Sequence, residues 1–233
     1  MKQKLLKNRF FYLFYKVLKI YRNKKPSRHF AEFGEDIFVS RILKSIENGK
    51  YIDVGCYHPF KGSLTALLYE KKWDGINIDL SRTSIDLFNF VRKRDLNLNC
   101  AVTNFNGKTI FYENSPINQQ NSLIKSNDNQ KEIEINCYTL DNILEKYKIQ
   151  KFDYLNIDVE GNELNVLKGL NFDKYQPSLI SIENNDQEIK KYLETETYKI
   201  LIKNDYIYVN KIGVTNFFMP SNLAKKISNL IKI

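Results

Sequence analysis

Four acids stand where a ligand would meet them. Asp53, Asp79, Asp158 and Glu183 each close an otherwise apolar run: KYIDVG at 50–55, GINIDL at 75–80, FDYLNID at 152–158 and SLISIE at 178–183. Such short apolar runs read as buried strands. In an open parallel sheet, ligands bind at the C-terminal ends of the strands. One acid there reads as a helix cap or a surface ion pair; four along one rim read as a site. Gly55 lets backbone approach a ligand closely. The loop after it, Cys56 to Gly62, has neither the full G-x-G-x-x-G fingerprint nor the Gly-Lys-Ser/Thr of a P-loop, so phosphate cradling is weakly supported. An acid ending the second strand, as Asp79 does, can accept both hydroxyls of an adenosine ribose. The ligand indicated is a nucleoside that requires no pyrophosphate.

To share a rim, these acids need strands that alternate with helices, and the chain supplies them. Ser63 to Lys72 has helical spacing, and Ser81 can cap a helix carrying Ile85, Leu87, Phe88 and Val91. Leu96 to Val102 reads as a third strand. Lys108–Glu113 and Glu132–Tyr138 read as strands around a polar stretch, Asn114 to Gln130, that is either a lid or an idle insertion. Thr139–Tyr147 and Gly161–Gly169 read as helices, the latter stopped by its terminal glycine. Tyr198–Lys203, Tyr206–Asn210 and Val214–Met219 read as C-terminal strands. Strand–helix alternation predicts right-handed crossovers and a mostly parallel sheet covered on both faces, with an antiparallel edge from the late strands.

The 233 residues suit one α/β domain plus an arm, divided here as 1–28 and 29–233. A hydrophobic fraction of 42% can build a core and excludes wholesale disorder. Cys56, Cys100 and Cys137 form no CxxC and no zinc spacing, which indicates free thiols and a reducing cytoplasm. The charge is lopsided. Of 36 Lys and Arg, ten fall within residues 1–28, where the first acid has yet to occur; it is Glu32. The remaining 26 face 27 acids, so the body is near neutral and no broad nucleic-acid surface is indicated on it. Leu6, Phe10, Leu13, Phe14, Val17, Ile20 and Tyr21 share one helical face of the arm, opposite Arg9, Lys16, Lys19 and Arg22. Such a helix either lies in an anionic membrane interface or packs its stripe on protein. The longest uncharged run there, Phe10 to Tyr15, is far short of the roughly 20 residues needed to span a bilayer. Residues 221–233 form a weaker copy, with Leu223, Ile227, Leu230 and Ile231 beside Lys225 and Lys226.

An ordered series of motifs resembles the FkbM family of S-adenosylmethionine-dependent methyltransferases. It comprises YIDVGCYHPF at 51–60, GINID at 75–79, LNCAV at 98–102, Thr139-Leu-Asp141 and FDYLNIDVEGNE at 152–163, with Phe33-Gly-Glu-Asp36 resembling a segment that often precedes the domain. The resemblance spans about residues 30 to 185. The first loop departs from it, with Cys56-Tyr-His-Pro where many members have an Asn-x-Gly type of turn. The resemblance implies a seven-stranded Rossmann-like methyltransferase fold and O-methylation, often of a sugar hydroxyl. It implies that Asp53 and Gly55 border the methionine part of the cofactor. Asp79, with Leu80 beside it, would hold the ribose. Cys100, Ala101 and Val102 would lie by the adenine, and Asp158 and Glu160 would face the reacting centre.

Methyl transfer to a sugar hydroxyl needs positioning, and either removal of the hydroxyl proton or a metal on its oxygen. Asp158 is the leading base or metal ligand. Glu183 ends a strand expected about 4.8 Å away. Asp158, Glu183 and Asn184 together offer three oxygens to Mg²⁺, a hard cation. His58, in the loop above the first strand, is a rival base. Glu35 and Asp36 either close over the cofactor or cap a helix. The acceptor indicated is a carbohydrate or glycoconjugate. With the basic arm it would be a lipid-linked sugar met at the cytoplasmic face of a membrane. Two rivals stand beside this reading: a nucleic-acid methyltransferase gripping with the arm, and a non-catalytic membrane-attached binding module. Against the first, the fourth strand ends Asp158-Val-Glu-Gly, without the Pro-Pro and aromatic that base amino groups want. A nucleotide-sugar or NAD enzyme is weaker still, because the glycine fingerprint is missing.

Overall fold

The structure, a computed structural model, describes residues 9–22, 29–116, 120–184 and 188–231. Helices α1 (Arg9–Arg22) and α2 (Glu35–Ile42) lead into β1 (Lys50–Val54). There follow α3 (Ala66–Glu70), β2 (Asp74–Asp79), α4 (Arg82–Val91), β3 (Leu96–Asn99), β4 (Ala101–Val102), β5 (Gly107–Glu113), β6 (Lys131–Tyr138), α5 (Leu140–Lys146) and β7 (Tyr154–Ile157). The chain continues through α6 (Glu163–Lys168), β8 (Leu179–Glu183), α7 (Ile189–Glu194), α8 (Glu196–Lys203), β9 (Tyr206–Ile212), β10 (Thr215–Pro220) and α9 (Ser221–Ile231).

Seven strands form the main sheet in the order β3-β2-β1-β7-β8-β10-β9. β3, β2, β1, β7 and β8 are parallel, and β10 runs antiparallel between β8 and β9. This is the expected Rossmann-like methyltransferase sheet with its antiparallel edge. Strand order reverses between β1 and β7, which opens a crevice at their C-terminal ends. β1 and β7 sit at the centre because their sequences can bear burial on both faces: Tyr51 to Val54 and Tyr154 to Ile157 are all buried. Local signals set the helix starts. Ser81, Thr139 and Thr195 each accept a backbone N–H from three residues on, at 3.1, 3.1 and 3.2 Å.

Two segments differ from expectation. Leu96–Val102 is not one strand. The Asn99 amide donates to the carbonyls of Asp79 and Leu80, at 3.0 and 2.7 Å, and ends the pairing of β3 with β2. The chain then turns at Cys100, and β4 joins a separate three-stranded sheet, β4-β6-β5. Tyr198–Lys203 is helical. Its alternating YKILIK imitates a strand, but Thr195 caps α8, and Leu201 turns fully into the core while Tyr198 packs edge-on to Tyr192 at 6.2 Å.

The arm stripe is also split. Val17 is buried against Leu87 of α4, with Tyr12, Leu13, Ile20 and Tyr57 packed around them. Phe10 and Phe14 face outward, 71% and 55% exposed. Leu6 lies outside the described residues, as do the side chains of Tyr21, Ile227, Leu230 and Ile231. Among the described residues no helix is long and apolar enough to cross a membrane. Cys56, Cys100 and Cys137 are free and buried.

Candidate active site

The crevice at the β1–β7 switch holds a narrow cleft of about 540 Å³, counting the space at its open mouth. Gly55, Asp79 and Asp158 line it, as do Leu80, Cys100, Ala101 and Val102. Sequence reasoning had named all of these. Gly55 is demanded twice over. Its φ is +84°, and a Cβ there would sit 1.6 Å from the Asp158 carbonyl oxygen. The turn after β1 therefore touches the end of β7 directly.

Asp79 ends β2 and points its carboxylate at the cleft wall. Its oxygens accept the backbone N–H groups of Tyr57 and Ser81, at 2.8 and 2.7 Å. Burial outweighs these bonds and pushes the carboxyl up to about 6. Each oxygen takes one N–H and keeps acceptor capacity for a further donor.

Asp53 is not brought to the cleft. It is 2% exposed and accepts from Asn156 Nδ2 at 2.9 Å and Thr65 Oγ1 at 2.7 Å. It sits one position before the end of β1, so the pleat aims it at a different layer from the rim. There it is the centre of a polar row in register across five strands, buried at Asn77, Asp53, Asn156 and Ser181 and half-buried at Asn97. Asn77 donates to Asn97 at 2.8 Å, and Ser181 donates to Asn156 at 2.6 Å. Arg92, fully buried, braces the same region. Its guanidinium donates to the Pro59 carbonyl, Ser63 and Thr65, which pins the loop after β1.

Glu35 and Asp36 are also away from the cleft. They occupy the first turn of α2, where Glu35 accepts the Phe33 N–H at 2.8 Å and Asp36 accepts that of Phe30 at 2.6 Å. They take neither expected role: the N-cap is Gly34 with no side-chain cap bond, and the two carboxylates tie the preceding segment back onto α2. His58 does not line the cleft either. Its Nδ1 lies 3.2 and 3.0 Å from the N–H groups of Phe60 and Lys61. Burial, then the charges of Lys16 and Lys61, push it down to about 4. It holds the loop as a neutral ring and is a poor base there.

At Asp158, which lines the cleft, the carboxylates of Glu160 and Glu183, which do not line it, converge. One oxygen from each lies within 4.8 Å of the others. Glu160 reaches this point through strained backbone: its φ is +54°, and Gly161 after it has φ +102°. Glu163 in α6 turns back to accept the Gly161 N–H at 2.9 Å. Burial and then a hydrogen bond to Glu183 hold the Asp158 carboxyl far above the usual range. Glu160 is pushed up to about 7, by burial first and then by the charges of Glu183 and Glu163. Asn184, the third expected metal ligand, uses its backbone N–H on the Val214 carbonyl at 2.9 Å.

The cleft has walls the sequence did not announce. Tyr57, Ile78, Val159 and Asn162 line it, and Asn121 and Leu123 come from the polar stretch between β5 and β6. That stretch is fastened at both sides: Ser122 Oγ donates to the Glu160 carbonyl at 2.8 Å, and Ser81 Oγ donates to the carbonyl of Pro116. Asn121 and Leu123 thus make this stretch part of the cleft wall. Tyr57 had one legible signal, its place two residues beyond the Asp-Val-Gly turn. Asn121 and Leu123 had none, because their neighbours are remote in sequence.

Residues 47–208 match the family model described as the methyltransferase FkbM domain. No curated protein matches the chain. Solved structures of similar shape include a putative O-methyltransferase from Klebsiella pneumoniae, 11% identical, with a TM-score of 0.46, covering 89% of each chain. A precorrin-6y C5,15-methyltransferase from Geobacter metallireducens GS-15 is 6% identical, with a TM-score of 0.45, covering 83% of this chain and 92% of that one. A 1,6-didemethyltoxoflavin-N1-methyltransferase from Burkholderia thailandensis, holding S-adenosylhomocysteine, is 11% identical, with a TM-score of 0.42, covering 94% of this chain and 87% of that one. The family match, and not these distant likenesses, carries the assignment.

Proposed function

The chain belongs to the FkbM methyltransferase family, and on that premise we propose that it is an S-adenosylmethionine-dependent O-methyltransferase acting on a sugar hydroxyl of a glycan or glycoconjugate. The observation that carries this reading is the cleft. An apolar slot lies beside the Asp79 carboxylate and reaches Asp158, whose carboxylate oxygen approaches those of Glu160 and Glu183. The residues fit the donor. Leu80, Cys100, Ala101 and Val102 offer apolar surface for an adenine. Asp79 retains acceptor capacity for a ribose diol, and Gly55 removes the side chain that would bar the methionine end. When bound, S-adenosylmethionine supplies an electrophilic methyl group on a positively charged sulfur.

The chain's own groups do the remainder. The lid residues Asn121 and Leu123 cover the slot and exclude water. Asp158, its carboxyl held far above the usual range, is hydrogen-bonded to Glu183. Glu160 is divided between charged and neutral forms near neutral pH, so it can take the proton of an acceptor hydroxyl and release it to solvent. The base role thus passes from Asp158 to Glu160. A lipid-linked acceptor would be met in the cytoplasm, at the inner face of a membrane.

A second reading rests on the close approach of the carboxylate oxygens of Asp158, Glu160 and Glu183. That spacing suits a hard cation such as Mg²⁺, with Asn184 at hand. Calorimetry with S-adenosylhomocysteine tests donor binding, and transfer of labelled methyl to sugar acceptors tests the reaction. Folded protein that gives no heat would leave only a binding module, and label in nucleic acid would move the acceptor class. Activity that survives EDTA supports proton transfer by Glu160; activity lost to EDTA and restored by Mg²⁺ supports the metal.

A further inference from the structure

The first helix is used on two sides. Its inner side is fixed to the domain: Leu13, Val17 and Ile20 seat on Leu87 of α4 and on Tyr57. Its outer side carries Phe10, Phe11, Phe14, Tyr15 and Leu18, exposed by 71, 46, 55, 42 and 51%. Positions 10, 11, 14, 15 and 18 form one continuous helical face. Scattered exposed apolar residues are ordinary, but five large ones on a single face mark a surface that meets something.

We propose that this outer face docks into an anionic membrane surface, with the inner face holding the cleft against it. Charge chooses the occupant. Residues 1–28 hold ten Lys and Arg and no acid. A second copy of the chain would set ten cations against ten, whereas anionic headgroups complement them. A nucleic acid would need several cations on the contact face itself, and positions 10, 11, 14, 15 and 18 carry none. At 14 residues α1 is about 21 Å long, enough to lie in the interface and too short to cross it. Aromatic and leucine side chains on one side with flanking cations are the composition such helices use. Because α1 touches Tyr57, a residue of the cleft wall, docking brings the cleft to the lipid surface.

The test is co-sedimentation of the full chain with vesicles of phosphatidylglycerol in phosphatidylcholine, compared with phosphatidylcholine alone. The wild type is expected to bind the anionic vesicles, and less well as salt rises from about 0.1 to about 1 M. The triple variant Phe10→Ser, Phe14→Ser, Leu18→Ser is expected to bind about tenfold more weakly or worse, with an unchanged circular dichroism spectrum. No binding to anionic vesicles overturns the proposal, as does equal binding by the triple variant. A wild-type dimer that the variant turns into monomer, or RNA binding that the variant abolishes, also overturns it. Calorimetry with S-adenosylhomocysteine is a separate readout. Its failure with vesicle binding intact strikes the methyl-donor reading alone.

Discussion

Asp79→Asn separates a ligand carboxylate from a structural one. The wild-type carboxyl is held at about 6 where an ordinary aspartate titrates at 3.8. At neutral pH the ionised form therefore costs the fold about 3 kcal/mol. Asparagine removes that cost. It also turns one oxygen into an N–H₂ facing a backbone N–H, of Tyr57 or of Ser81, and an orphaned donor there costs about 1–3 kcal/mol. The two effects nearly offset, so urea titration is expected to give a stability within about 2 kcal/mol of wild type. Binding has no such offset. A ribose diol loses charge-assisted bonds worth about 3 kcal/mol together, roughly a hundredfold in affinity for S-adenosylhomocysteine by calorimetry. The wild type should also lose affinity as pH falls through about 6, when the carboxyl takes up a proton, while the variant should not. Full affinity in a folded Asp79→Asn protein would refute the donor site. Affinity that fails only in step with unfolding would reduce Asp79 to a cap for the β2 turn.

Glu160→Gln should lower kcat by about a hundredfold or more, leave S-adenosylhomocysteine affinity intact, and remove a rise in rate near pH 7. Ligand-free protein should melt at a lower temperature as pH rises from about 5 to about 7.5. Burial raises the carboxyls of Asp53, Asp79, Asp158, Glu160 and Glu163, so their contribution is present below their ordinary range and is lost as they ionise; scanning calorimetry that shows the opposite slope would sink this. Gly55→Ala should abolish donor binding, since its Cβ has no room beside the Asp158 carbonyl, and a wild-type calorimetric trace would be incompatible with the turn described. Arg92→Met should cost about 3 kcal/mol or more, by orphaning the Pro59 carbonyl and taking a donor from the hydroxyls of Ser63 and Thr65, and Arg92→Lys should not restore it because a single ammonium cannot reach the fork of partners.

The rim of acids was legible because strands buried on both faces are apolar runs, and an acid that ends such a run is conspicuous. What chemistry lies at each acid was only partly legible. Asp53 and Asp79 look alike in sequence, yet the first is one residue short of its strand end and the second is the last residue. That single step decides between the ladder and the cleft, and strand ends are where pattern reading is least sharp. Arg92 was invisible because its partners come from residues 59–65, a loop without periodicity. The polar stretch from Asn114 to Gln130 was legible as a segment, but not that Asn121 and Leu123 within it would line the cleft. α8 was misread because YKILIK has period two, and only the cap at Thr195 betrays the helix. The stripe read on α1 was too narrow: Leu13, Val17 and Ile20 pack on the domain, and the exposed face joins Phe10 and Phe14 to Phe11, Tyr15 and Leu18, which lay outside it.

The ladder and the rim are one device. Carboxylates can share a proton only if their strands are held at fixed heights, because a slip of one residue would send each to the other face of the sheet. Hydrophobic pairs set register loosely; a row of buried amides, hydroxyls and one acid sets it strictly, since any slip leaves unpaired polar groups. Asn97, Asn77, Asp53, Asn156 and Ser181 run across the same five strands whose ends carry Asp79, Asp158 and Glu183. The ladder lies beneath the rim; its hydrogen bonds join β1, β7 and β8 through Asp53, Asn156 and Ser181, and separately join β2 to β3 through Asn77 and Asn97. On this view Ser181→Ala acts at a distance. It removes the donor to Asn156 and the partner of the Tyr154 hydroxyl, at 2.6 and 2.7 Å, and touches nothing in the cleft. Its expected result is a fall in kcat of severalfold, with donor affinity unchanged and the rate rise near pH 7 displaced, because the Asp158–Glu183 spacing relaxes. A variant that lost stability alone, with the pH profile unmoved, would show that the ladder supports the sheet without setting the chemistry above it.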